Sequence, residues 1–221
     1  MDNDQPHVEV VWYELDDGDA VVDKLASSLA DAERRRVERL ADPIERRRAT
    51  VRFARRREIL ASLRAGPNEP LGPPRWSSSS RHGLGLLAVS SGPRVGVDIE
   101  ASSEIPDPVR LATSIATDDE AIAMDAATPS ERADQVLHLW TRKEAYLKAT
   151  GEGVGSGVRH VRVPLGRHAW ELAFQPNAPH GATWRLYDLD CPRPGYAAAL
   201  VVELVPAVPR APHVTITTWP P

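Results

Sequence analysis

The sequence predicts an α+β protein in which one arrangement of strand, helices and strands is used twice. Three observations carry that reading. A strand-like opening leads into a long helical stretch and then short strands, and a similar order returns in the second half. Turns rich in Pro and Gly separate the strand-like segments. With 221 residues, 42% of them apolar, and a net charge of -4, the chain has a soluble globular composition and enough length to bury a core. No internal sequence repeat accompanies the repeated order. The expected division is a first subdomain of residues 1–102 and a second of residues 103–221.

Each element follows from its local pattern. "VEVVWYEL", Val8 to Leu15, reads as a strand. Val21 to Arg64 has a helical pattern broken at Pro43, whose ring suits the first turn of a new helix. "AGPNEPLGPP", residues 65–74, is a connection, and short strands follow around Gly85 to Ser90 and Arg94 to Glu100. Pro106 to Thr128 reads as helical with breaks, and Pro129 to Ala149 as a long helix. Val136, Leu137, Trp140, Tyr146 and Leu147 supply the apolar side of that long helix. "GEGVGSG" ends it, glycine being favoured just past a helix terminus. "VRHVRV", "WELAF", "TWRLYDL", "YAAALVVEL" and "HVTITTW" then read as strands.

Composition narrows the function classes. No run of 18 or more apolar residues appears, so no membrane span is expected. The acidic "MDNDQPHVEV" does not resemble a secretory leader. A single cysteine, Cys191, rules out an internal disulfide and any zinc site built on several cysteines, and suits the cytoplasm. Asp31 to Arg64 carries twelve arginines against six acids. That basic stretch raises nucleic-acid binding, but the overall acidity and the lack of a known nucleic-acid motif count against it. Most of these arginines read as a solvated helix face. Lysine occurs only at positions 24, 143 and 148, so a lysine kept in this arginine-rich chain is informative.

Two stretches carry possible chemistry. In "VGVDIE", Asp98 and Glu100 are two apart in a strand and share a face, while Val97 and Ile99 take the other. Neighbouring carboxylates repel unless a cation or proton offsets them, and a hard divalent ion binds through such oxygens together with substrate phosphates. Taken alone, the pair is more simply an exposed strand end. In "WTRKEAYLKATGEG", Glu144 and Lys148 are four apart on one helical face. That spacing also suits an ordinary surface ion pair, worth about 0.3–0.5 kcal/mol. The apolar residues around it instead suggest a packed helix that brings Glu144 to the first two carboxylates.

The two stretches together, "GVDIE" and "WTRKEAYLKATGEG", resemble the paired signature of the 4'-phosphopantetheinyl transferases, the larger monomeric Sfp-like type above all. The resemblance spans about residues 8–205. It implies the fold of that family, two similar α+β subdomains related by a pseudo-two-fold, with coenzyme A in the cleft between them. It implies transfer of the phosphopantetheine arm to a serine of an apo acyl or peptidyl carrier protein, with release of adenosine 3',5'-bisphosphate. Such a cytoplasmic monomer would serve holo-carrier-protein synthesis, including secondary metabolite pathways. By the same resemblance Asp98, Glu100 and Glu144 would hold Mg²⁺. Glu144 would accept the serine proton, Lys148 would neutralise the departing phosphate, and Lys143 would bind phosphate beside it. Arg48, and after it Arg55, align with an arginine that meets the coenzyme phosphates.

Two departures from the family pattern stand out. A serine-histidine-serine segment usually precedes the strand aspartate by about seventeen residues. Here "SSSSRHG" puts Ser80 at the first serine, Arg81 at the histidine and His82 at the second serine. An arginine can still grip phosphate, through a bidentate fork and at any pH. The family's longer loop with its own coenzyme-binding lysine is shortened here, leaving Arg75 as a possible substitute. A relative that keeps the fold but only binds a carrier domain or a coenzyme A derivative is the competing expectation.

Overall fold

In a computed structural model of the chain, residues 5–64, 75–153, 157–165, 172–174, 183–204 and 212–220 are described. The connection 65–74 and part of "GEGVGSG" lie outside them. The α+β class is as expected, with two four-stranded sheets and six α-helices among the described residues. None of these helices is long and apolar enough to cross a membrane.

The first sheet has the order β2-β3-β1-β8, formed by β1 (His7–Glu14), β2 (Arg75–Arg81), β3 (Leu84–Ser90) and β8 (His213–Trp219). The second has the order β4-β7-β6-β5, formed by β4 (Val95–Ala101), β5 (Leu172–Phe174), β6 (Thr183–Leu189) and β7 (Tyr196–Leu204). β8 runs parallel to β1, while β4 pairs antiparallel with β7. Each sheet therefore takes a strand from the other side of residue 102.

Alternation along the strands builds a layered molecule. Val8, Val10 and Trp12 of β1, Leu84 and Leu86 of β3, and Val95, Val97 and Ile99 of β4 meet Leu200 and Val202 of β7 in a core between the sheets. The opposite face of the first sheet, with Val11, Tyr13, Leu87 and Val89, packs on α1 (Asp19–Ser27) and α3 (Pro43–Arg64). α2 (Asp31–Glu38), which buries no residue, lies between those two helices in sequence. The outer face of the second sheet, including Trp184, Leu186, Ala199 and Val201, packs on α6 (Pro129–Thr150). α4 (Pro108–Ile115) and α5 (Asp118–Asp125) flank α6.

Local chemistry sets the bounds of α6. Pro129 occupies the first turn, and Thr128 and Glu131 satisfy each other's backbone N–H groups in a capping box. Gly151, at φ 77°, closes the helix in the left-handed conformation.

Two segments differ from the sequence expectation. "VRHVRV" is not a strand; Val158–His160 forms a short 3-10 turn instead. The Val163 N–H donates to the Glu120 carboxylate rather than to a neighbouring strand, and Val161 and Val163 bury into the core around α6. "RWSSSSR", with no hydrophobic alternation, does form a strand, β2. Its serines are satisfied across the sheet junction: Ser77 Oγ accepts from Val97 N–H at 3.0 Å, and Ser79 donates to Asp98 at 2.8 Å.

Candidate active site

The site is built where α6 crosses β4. Val95, Val97 and Ile99 point into the core between the sheets, so Gly96, Asp98 and Glu100 point at the helix. Gly96 makes that crossing possible. A Cβ there would lie 2.0 Å from the Ala145 carbonyl oxygen and 2.4 Å from the Ala149 nitrogen, both backbone atoms of α6. Ala145 and Ala149 follow directly on Glu144 and Lys148, so the same approach delivers those two side chains to Asp98 and Glu100.

The four groups do meet, with partners other than those of a helical ion pair. Lys148 Nζ lies 2.6 Å from Asp98 Oδ1, which also accepts from Ser79 Oγ. Lys148 also donates to Ser79 at 3.1 Å. Glu100 Oε1 accepts from the Arg81 guanidinium at 2.6 Å and from the Trp140 indole N–H at 3.1 Å. Trp140, expected only as an apolar residue, therefore also orients a carboxylate. Among the described residues, Asp98 Oδ2 and Glu144 Oε1 are buried without a hydrogen-bond partner.

Burial raises all three carboxyl pKa values. Asp98 is pushed up first by desolvation, with Lys148, Ser79 and Arg81 pulling the other way. Glu100 is raised by burial and by the charge of Asp98, against the hydrogen bond from Arg81. Glu144 is raised by burial and then by Asp98 and Glu100, with only the charges of Lys148 and Arg81 opposing. The carboxylates thus feel one another. Among the described residues, however, no three His, Cys, Asp or Glu side chains are gathered tightly enough to form a ready ligand set. Lys148 and Arg81 occupy one oxygen each of Asp98 and Glu100.

Beside the carboxylates is a polar cleft of about 330 Å³, lined by Leu15, Glu45, Arg48, Arg52, Ser80, Arg81, His82 and Glu104. Four expected residues, Arg48, Ser80, Arg81 and His82, line it together. Arg48 holds Asp16 through a two-pronged contact at 2.7 and 3.0 Å, which keeps the Asp16 carboxyl below the usual range. Arg52 donates to Ser80 at 3.0 Å. Sequence reasoning did not single out Arg52; its place on α3, one helical turn past Arg48, was the available signal. His82 sits at φ 49° in the two-residue turn between β2 and β3, near Ser103 and Glu104. A second cleft, of about 400 Å³ and lined in part by Ser102, Ile105, His138 and Tyr196, contains none of the expected site residues.

Three expected residues are not brought to the site. Lys143 is fully buried, 2.6 Å from Glu120 and donating to the Ile115 carbonyl at 2.7 Å. Its ammonium faces away from the cleft because position 143 is turned about 100° from Glu144 and about 140° from Lys148 around α6. Arg55 pairs with Asp17 and Glu58 and does not line the cleft. Arg75 begins β2 opposite Ser90, about 20 Å along the strand from Arg81.

Comparison with known proteins supplies independent findings. The model of the 4'-phosphopantetheinyl transferase superfamily matches residues 94–201, which include Asp98, Glu100, Glu144 and Lys148 but not Arg48, Arg52, Ser80, Arg81 and His82 of the cleft. A Synechocystis sp. protein assigned as a 4'-phosphopantetheinyl transferase is 28% identical over 175 residues, covering 72% of this chain and 70% of that one. The 4'-phosphopantetheinyl transferase gsp of Aneurinibacillus migulanus is 36% identical over 69 residues, 31% of this chain and 28% of that protein.

Proposed function

Because the chain belongs to the 4'-phosphopantetheinyl transferase superfamily, we propose that it moves the 4'-phosphopantetheine arm of coenzyme A onto a serine of an apo acyl or peptidyl carrier protein. Adenosine 3',5'-bisphosphate is the other product. The observation that carries this reading is the junction of an acidic seam, Asp98, Glu100 and Glu144, with a cleft lined by Arg48, Arg52 and Arg81. Transfer of a phosphoryl-linked group is chiefly a matter of positioning and charge neutralisation, and these residues offer both.

The donor set suits a magnesium ion. Its oxygens are hard, two of them are buried without partners among the described residues, and the three carboxylates repel one another. Asp98, Glu100 and Glu144 would hold the ion, which when bound neutralises the pyrophosphate oxygens. The remaining work belongs to side chains. Arg48, Arg52 and Arg81 grip the phosphates of the donor, with Ser80 and His82 beside them. Glu144, whose raised pKa moves it toward neutrality, accepts the serine proton directly or through a water. Lys148, on the next turn, neutralises the departing bisphosphate. Acidic carrier domains would be drawn to the arginines around the cleft.

The test is transfer itself. The protein is incubated with Mg²⁺, coenzyme A and a panel of apo-carrier proteins, and carrier mass is followed. A phosphopantetheine increment on at least one carrier, abolished in Asp98→Ala and Glu144→Ala, is expected. Coenzyme binding with no modified carrier would point instead to a binding module, and full activity in either variant would remove the metal assignment.

A further inference from the structure

Arg81 borders both halves of the site. Its Nη2 lies 2.6 Å from Glu100 Oε1 and its Nη1 3.4 Å from Glu104, while its Nε–H is buried without an acceptor among the described residues. The same side chain lines the basic cleft with Arg48, Arg52, Ser80 and His82. It sits on β2 two residues from Ser79, so the strand presents both toward β4, Ser79 at Asp98 and Arg81 at Glu100. The neighbouring arginines have other partners in or beside the cleft, Arg48 holding Asp16 and Arg52 donating to Ser80.

A guanidinium 2.6 Å from Glu100 Oε1 fills the place of a cation on that oxygen. A divalent ion arriving at Glu100 meets a like charge at hydrogen-bond distance, so the two compete. Once released, the fork has the cleft next to it and retains a free donor for a phosphate oxygen.

We propose that Arg81 is a resident counter-ion of Glu100, that a divalent cation displaces it, and that the displaced guanidinium passes to an anion in the cleft. Cation binding and phosphate capture are thereby coupled through one side chain. The proposal rests on the reading of the three carboxylates as a metal site and adds to it a competition specific to Arg81. By linkage the coupling is reciprocal: an anion that draws Arg81 off Glu100 strengthens cation binding by the same factor as the cation strengthens anion binding.

Titration of the whole protein with Mn²⁺, with free ion followed by electron paramagnetic resonance and no phosphate present, tests this. Arg81→Gln and Arg81→His, at a pH where histidine is neutral, are expected to bind Mn²⁺ about tenfold more tightly than the parent protein. Glu104→Gln, which loosens Arg81 without touching Glu100, shifts affinity in the same direction. In calorimetry, adenosine 3',5'-bisphosphate binds more weakly to both Arg81 variants, and saturating Mg²⁺ strengthens its binding less than in the parent. Unchanged or weaker Mn²⁺ binding in both Arg81 variants, with parent binding that Glu144→Gln abolishes, overturns the competition and leaves the metal site standing. No Mn²⁺ binding by any of these proteins overturns both.

Discussion

Gly96 decides whether the site exists. Any side chain there would penetrate the α6 backbone, which cannot yield as a flexible side chain can. Gly96→Ala is expected to cost about 1–3 kcal/mol in denaturant unfolding. It should also abolish transfer, because the helix must lift Glu144 and Lys148 away from Asp98; a fully active Ala variant would contradict this account of the crossing. Lys143 makes a different point at the same scale. It is buried against Glu120, whose carboxylate also accepts from Thr117 and Val163 N–H. Lys143→Met leaves that carboxylate uncompensated and is expected to destabilise by about 3–5 kcal/mol. The double variant Lys143→Met/Glu120→Gln should recover part of the loss, and a strictly additive cycle would argue against the pairing. Both residues show what a motif reveals and conceals. Glu144 and Lys148 are legible from four-residue spacing, whereas the burial of Lys143 rests on its pairing with Glu120 of α5, a long-range contact that no local pattern indicates.

At the scale of elements, β4 and α6 were readable because each carries a hydrophobic period of its own, and the caps of α6 are written in Thr128, Pro129 and Gly151. β2 was not readable. Four consecutive serines lack alternation, and they become a strand only because the neighbouring β3 and β4 satisfy them. The missed strand carries Ser80 and Arg81 of the cleft lining, so these two were legible as residues but not as structure. The β1–β8 pairing gives a pH-dependent prediction. His7 and His213 stack with ring centroids 5.4 Å apart, and Glu9 faces the same side of β1 as His7. Burial, and then the charge of His213, push the His7 pKa down, while Glu9 opposes. Folded protein therefore binds less proton here than unfolded chain, so this contribution is fully present above the ordinary histidine range and fades as pH falls through it. Hydrogen-exchange protection in residues 213–219 is expected to drop over that interval, and His213→Gln should flatten the dependence. An equally steep dependence in that variant would place its origin elsewhere.

Across the whole molecule, two sheets share one core and carry helices on their outer faces, with each sheet taking a strand from the other half of the chain. The acidic seam belongs to the second sheet and α6, and the basic cleft to the first sheet and α3. The junction of β2 with β4 joins them. The α+β class followed from element order, but strand exchange could not, because it depends on pairings such as His7 with His213 that lie at opposite ends of the sequence. The family match confined to residues 94–201 fits this division, with the carboxylates inside it and Arg48, Arg52 and Arg81 outside. The central claim is that both parts act as one site. A crystal structure of the protein with Mn²⁺ and adenosine 3',5'-bisphosphate tests it most directly through the anomalous signal of the metal. The account predicts a peak about 2.1–2.2 Å from carboxylate oxygens of Asp98 and Glu144, near the spacing set by hard oxygen ligands, with the bisphosphate against Arg48 and Arg52. A metal bound away from these carboxylates, or a bisphosphate outside the cleft, would contradict it.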